Sequence, residues 1–234
     1  MARRRRNMTK LEIIGTATEL FLEKGYSNTS PNAISEELDI STGNLTYYFP
    51  TKEYLLAELV DMLCTFQWKL MEEEAGEGIS SIMALCLELI SIAAACEQDE
   101  AIKDFFISSY QSPICLDIIR RNDAKRAKEI FADHRPDWTD EQFAEAEILV
   151  SGIEYGTLMT AGTPVKLETR ISGALYNILG IYGVPEDVRN MKLEKMLAMD
   201  YRGIGLRVLA EFKKYVADTN QHALDEVMRP RRKH

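Results

Sequence analysis

The sequence predicts an all-α protein. Apolar residues recur at spacings of three and four almost throughout, strand-like alternation is nearly absent, and the breaks fall at Pro50, Pro113, Pro136, Pro164 and Pro185 and at the glycine-bearing "EEEAGEG". At 234 residues, 46% of them hydrophobic and 28% charged, the chain is long enough to bury a sizeable core.

The first helix is expected from about Thr9 to Lys24, with Leu11, Ile14, Thr18 and Phe21 on one stripe and Gly25 where a left-handed cap is wanted. Ser30 then caps a second helix whose first turn holds Pro31, where an amide donor is dispensable, and which turns Ile34 and Leu38 inward before Asp39 ends it. Ser41 caps a third short helix through Phe49, rooted by Leu45 and Phe49, and Pro50 breaks it. Thr51 is placed to cap a fourth, and further helices are expected at about 51–73, 79–97, 99–110, 113–132, 139–162, 167–183 and 185–217.

Two short helices joined by the three-residue turn "DIS" and braced by a longer one describe a helix-turn-helix unit. With Leu45 and Phe49 used for the core, Thr42, Gly43, Asn44, Thr46, Tyr47 and Tyr48 face outward. Asn44 can bond both edges of adenine, the threonines offer hydroxyl or methyl to base edges, and tyrosine hydroxyls and Lys52 reach phosphate oxygens. Gly43 lets the helix start approach a DNA backbone closely. The competing reading is that Tyr47 and Tyr48 merely roof a small domain.

"TATELFLEKGYSNTSPNAISEELDISTGNLTYYFPTKEYLL" resembles the DNA-binding domain of the TetR family of bacterial transcription regulators, over residues 9 to about 60. The resemblance rests on Leu20-Phe21 with Gly25-Tyr26, on Ile34 with Leu38, and above all on Gly43 to Phe49 followed by Lys52. It implies a homodimer that places one recognition helix in each of two successive major grooves, Lys52 on phosphate, and Asn32 at a groove or phosphate contact. Where the family usually has alanine and glycine, this chain has Ser35 and Asp39, and Thr46 replaces a common tyrosine, so operator preference does not carry over. Aspartate tolerates the left-handed region better than most residues, so the fold is not threatened.

The domain division expected is 1–52 for DNA binding, with a basic arm at 1–8, then 53–217 for ligand binding and dimerisation, and 218–234 as a tail. Mid-helix glycines cost roughly 0.5–1 kcal/mol relative to alanine and call for a reason. Gly152 and Gly156, one turn apart, and Gly173 and Gly180, two turns apart, suggest a dimer seam; packing within one chain is the alternative. Met83, Glu88, Phe105, Tyr110, Tyr155 and Met159 are the candidates for a mainly apolar effector pocket, with Glu88 or a tyrosine hydroxyl as its polar handle. Plain core is the alternative for the aromatic and Met residues among them.

The formal charge of −9 opposes binding to a polyanion, but its distribution does not. Residues 1–52 hold seven Lys/Arg against six Asp/Glu, and the run Arg3 to Arg6, with Arg5 and Arg6 nearest the helix, either neutralises phosphates or is a solvated tail. Cys64, Cys86, Cys96 and Cys115 form no CxxC pair and the three histidines are scattered, which argues for a reducing cytoplasm and against metal or cofactor. The stretch 79–96 is apolar but carries Glu88 and reads as a bundle core helix, with no membrane partner expected. No phosphate loop, HExxH or GxSxG is present, so no enzyme is expected. The function expected is a homodimeric repressor released from a palindromic operator on double-stranded DNA by a small-molecule effector. An activator, or control by a protein partner or by cysteine redox state, is the alternative.

Overall fold

The computed structural model describes residues 2–76, 80–160 and 162–228, with side chains for 9–70, 80–160, 162–223 and 225. Among these residues all regular structure is helical, in eleven helices: α1 (Ala2–Lys24), α2 (Pro31–Glu37), α3 (Thr42–Tyr48), α4 (Lys52–Gly76), α5 (Ser81–Gln98), α6 (Glu100–Gln111), α7 (Pro113–Phe131), α8 (Asp140–Met159), α9 (Leu167–Ile181), α10 (Glu186–Leu197) and α11 (Tyr201–Met228).

The first three helices form where their caps direct. The Ser30 hydroxyl accepts from the Ala33 amide and that of Ser41 from the Asn44 amide, so each short helix has a side-chain acceptor for an otherwise unpaired donor. Gly25 sits at φ +88° and Asp39 at φ +51°, the left-handed positions that end α1 and α2. Beyond Asp39, the Ile40 amide donates back to the Ser35 carbonyl, closing the six-to-one bond of a Schellman turn. Leu45 and Phe49 are buried with Ile34, Phe21 and Leu55, which fixes α3 against the rest of the domain.

Three expectations are corrected. α1 begins at Ala2, not near Thr9: with no Gly or Pro before Gly15, and arginine and methionine good helix formers, nothing stops the helix short of the N-terminal residues. The expected single helix at 185–217 is two, because the Asp200 carboxylate caps a new start by accepting from the Gly203 amide. The second of them runs on to Met228, so most of the expected tail is helix; residues 229–234 lie outside the described ones.

The long α5 passes through the middle of the larger unit. It is apolar and long enough to cross a membrane, yet 61% of it is buried within the chain, as a core helix is. α6 to α9 pack on it, as do α4, α10 and α11. α11 lies along both α5 and α1, crossing α5 so closely that a Cβ on Gly205 would stand 2.6 Å from the Ser91 carbonyl oxygen. α6 bridges the two units, packing on α1 as well as on α5, α7 and α8.

Candidate functional site: a nucleic-acid interface and a buried cavity

On α3, Thr42, Gly43, Asn44, Thr46 and Tyr47 are exposed and Tyr48 is half-buried. Tyr47 and Tyr48 meet edge to face at 5.2 Å, and Tyr47 leaves 62% of its surface free. Asn32 projects from α2 beside this row, and its Oδ1 accepts from the Thr42 hydroxyl at 3.0 Å. That bond ties α2 to α3 on the exposed side and leaves the Asn32 amide group with two donors to present outward. A Cβ on Gly43 would meet only Ser41 Oγ, at 3.9 Å.

Lys52 is placed differently from a free phosphate-binding cation. Its ammonium donates to the carbonyls of Tyr26 (2.7 Å) and Thr29 (2.9 Å) and stands 4.0 Å over the Tyr26 ring. Burial lowers its pKa, with Asp104 working against the shift. It therefore fastens the α1–α2 turn and has one of three donors left over. Arg5 and Arg6 continue the α1 backbone, and their side chains lie outside the described residues.

Behind this unit, in the larger one, is a cavity of about 70 Å³ between α4, α5, α6, α7, α8 and α9. Leu89, Ile92, Phe106, Ile119, Val150 and Ile178 give it apolar walls. Set into them are four carboxyl groups, those of Glu88, Asp123, Glu147 and Glu154, and one guanidinium, that of Arg126. Arg126 is buried and holds Glu88 through both terminal nitrogens and Asp123 through one, while Gln67 donates to Glu88 at 2.5 Å. Burial works against the Arg126 charge, but Glu88 and then Asp123 hold it protonated. Burial pushes Asp123 up to about 6 despite Arg126. It pushes Glu147 up to about 8, with Asp123 adding to the rise, and raises Glu154 as well. The Tyr182 hydroxyl donates to Glu147 Oε1 and the Tyr110 hydroxyl to Glu154 at 2.8 Å.

Glu88 and Tyr110 thus stand on the cavity wall, whereas Met83 and Phe105 are packed in the core outside its lining. Tyr155 lies outward of Tyr110, stacked on it at 6.2 Å, and Met159 is 49% exposed. Of the two expected polar handles, Glu88 is paired with Arg126 and the Tyr110 hydroxyl is bonded to Glu154. Asp123, Arg126, Glu147, Glu154 and Tyr182 are the residues that sequence reasoning missed. The signal was there: counting from Phe143 at helical offsets puts Glu147 and Glu154 on the inward stripe of α8 with Val150 and Leu158.

Of the four glycines expected at a seam, Gly180 has a close neighbour within the chain. A Cβ there would lie 2.9 Å from Arg189 Nη1, and Arg189 stacks 4.1 Å from the Tyr176 ring. Gly152, Gly156 and Gly173 face open space, next to exposed Ile148, Leu149 and Met159.

Residues 13–59 match the family described as bacterial regulatory proteins, tetR family. The N-terminal domain belongs to the TetR family. Among curated relatives, the uncharacterized HTH-type transcriptional regulator YuxN of Bacillus subtilis is 47% identical over 49 residues, 21% of this chain and 17% of that one. The HTH-type transcriptional regulator QacR of Staphylococcus aureus is 42% identical over 53 residues, 23% of this chain and 28% of that one. The likeness thus spans less than a third of either relative. Among solved structures, a gamma-butyrolactone receptor (ArpA like protein) aligns over 88% of this chain and 99% of its own at 19% identity, with a TM-score of 0.47. At that distance its ligand says nothing about this chain's.

Within the TetR-family match fall Asn32, the whole exposed row of α3 and Lys52. The cavity and the open glycines of α8 and α9 lie beyond it.

Proposed function

We propose that the protein is a homodimeric, sequence-specific DNA-binding regulator of the bacterial cytoplasm, most simply a repressor that a small molecule entering the cavity releases from a palindromic operator. The observation that carries this reading is the α3 row: Thr42, Asn44, Thr46 and Tyr47 exposed on a capped helix rooted by Leu45 and Phe49, inside the TetR-family match. Asn44 is assigned to a base edge, with Thr42, Thr46, Tyr47, Tyr48 and Asn32 around it, and Lys52 and the Arg5–Arg6 segment to phosphates. Residues 1–52 are assigned to reading DNA and 53–217 to effector binding and dimerisation through the α8–α9 face around Gly152, Gly156 and Gly173.

Two helices connect cavity and reader. α4 has Val60, Leu63 and Gln67 on the cavity and Leu55, Leu56 and Leu59 in the buried core. α6 has Phe106, Ser109 and Tyr110 on the cavity and Asp104 on the α1–α2 turn. A ligand that favours a different spacing of the two recognition helices, which must match about 34 Å of duplex, weakens DNA binding a hundredfold with about 2.7 kcal/mol of coupling. Control by cysteine oxidation is disfavoured, since all four thiols are buried and burial pushes Cys86 and Cys96 up to about 12.

The test is selection of random duplexes by the purified protein at physiological salt, followed by sequencing. Enrichment of a palindrome with half-sites one helical turn or a multiple apart supports the reading. Weak, salt-sensitive binding without enrichment overturns it.

A further inference from the structure

Two polar atoms of residues lining the cavity have no hydrogen-bond partner, the donor Arg126 Nε and the acceptor Glu147 Oε2. Glu147 is 2% exposed, its Oε1 accepts from Tyr182, and its Oε2 is buried with no hydrogen-bond partner among the protein groups. Buried carboxyl oxygens are rarely left so, because burial strips their water and nothing replaces the lost hydrogen bond. Glu147 lines the cavity from the middle of α8, two turns from Glu154 on the same stripe.

The charges around it are lopsided. From α5 comes Glu88, from α7 Asp123 and Arg126, and from α8 Glu154, with the Tyr182 hydroxyl beyond α9. Arg120 of α7 bears on Glu147 from outside the lining and is bonded to Ser151. Arg126 is taken by Glu88 and Asp123. Glu147 and Glu154 therefore have tyrosine hydroxyls but no cation of their own. The apolar side chains of Phe106, Ile119 and Val150 beside these carboxyl groups suit a counter-charge that carries hydrocarbon.

We propose that the cavity takes a small organic amine in its protonated form, the ammonium donating to Glu147 Oε2 with Glu154 alongside, and the hydrocarbon part lying against Phe106, Ile119 and Val150. This deepens the reading of the cavity as the effector site and rests on it. A second space of about 40 Å³ shares Leu63, Gln67, Glu88, Ile92 and Phe106 with the first, so these side chains form a partition that a longer hydrocarbon tail would displace. Because burial holds Glu147 protonated up to about pH 8, an arriving ammonium ionises it. The proton leaves to solvent, and amine affinity rises from pH 6 to pH 8.

The experiment titrates the full-length protein with n-butylamine and benzylamine, and with 1-butanol and benzyl alcohol as neutral counterparts of similar shape, to 10 mM. It is read by thermal shift and by calorimetry in two buffers of different ionisation enthalpy. The same titrations are run on Glu147→Gln, which keeps an acceptor for Tyr182, and on Val150→Phe, which fills the apolar wall. The expected result is at least tenfold tighter binding of the amines than of the alcohols, with proton release. Glu147→Gln removes that preference and Val150→Phe weakens both classes. If alcohols bind as well as amines, or Glu147→Gln keeps the preference, the proposal is overturned while the cavity stands as a ligand site. Amine binding indifferent to both variants is binding elsewhere and also overturns it. No binding by either class overturns the proposal together with the effector-site reading.

Discussion

Asp104 of α6 accepts from both the backbone amide and the hydroxyl of Ser27, each at 2.6 Å, across 77 positions of sequence. The same carboxylate occupies the place where a Cβ on Gly25 would fall, 2.8 Å from its Oδ2, and Gly25 needs its left-handed φ of +88° in any case. Asp104→Ala is expected to cost about 1 kcal/mol at this exposed site and to speed hydrogen exchange of the residue 25–29 amides selectively. It is also expected to reduce the difference in operator affinity between liganded and unliganded protein. Unchanged exchange at that turn counts against α6 as a connection between the two units.

Asn44→Ala and Lys52→Ala separate reading from holding. Loss of Asn44 should weaken binding to the selected operator by about 1–3 kcal/mol per half-site and leave random DNA nearly unaffected, measured by fluorescence anisotropy. Lys52→Ala should lower affinity for all sequences and also lower Tm, since it removes two bonds that close the α1–α2 turn. Equal losses on operator and random DNA for Asn44→Ala would remove it from base contact.

The Glu147 carboxyl makes stability depend on pH. Its folded pKa of about 8 lies above the unfolded value near 4.3, so the folded state binds the extra proton between those limits. Its contribution is complete below about pH 4 and is lost as pH rises through 8. Denaturant melts should show stability falling by on the order of a few kcal/mol across that window, with Asp123 adding to the lower part of the fall. Glu147→Gln should flatten the fall. A profile as steep in the variant as in the parent would assign the titration to other groups.

Gly156 distinguishes a subunit seam from a bare helix face. Nothing lies within 4 Å of a Cβ built there, so in a monomer Gly156→Leu gains about 0.5–1 kcal/mol of helix propensity without a clash. In a close-packed seam the same substitution separates the subunits. Sedimentation at micromolar concentration is expected to show a dimer for the parent protein and a monomer for Gly156→Leu, with operator binding lost. A variant that remains dimeric and is more stable would place the seam elsewhere.

What was legible in the sequence was what depends on near neighbours. Ser30, Ser41, Gly25 and Asp39 act through their own turns, so their positions alone located the end of α1 and the starts of α2 and α3. Asp200 acts in the same way, but a leucine-rich pattern on either side of it concealed the break between α10 and α11. The cavity was read only in part because its polar lining comes from residues far apart in the chain. Glu88 and Arg126 meet across 38 positions, and Tyr182 and Glu147 across 35. A carboxylate on a helix stripe looks solvated until the opposite helix is known. Gly180 shows the same limit: its close neighbour, Arg189, is in the next helix of the same chain, and glycine spacing alone does not name a neighbour.

The position of α11 bears on how the molecule comes into being. α11 covers α1, with Lys213 paired to Glu23 across 190 positions and Asn220 close to Gly15. During synthesis the first helix leaves the ribosome well before the last one exists, and until then one of its sides has nothing to pack on. Chains released before residue 201 would carry the exposed row of α3 beside an α1 that lacks its α11 partner. The caps of α2 and α3 act within their own turns and can form early, whereas the packing of α1 waits for residues 201–220.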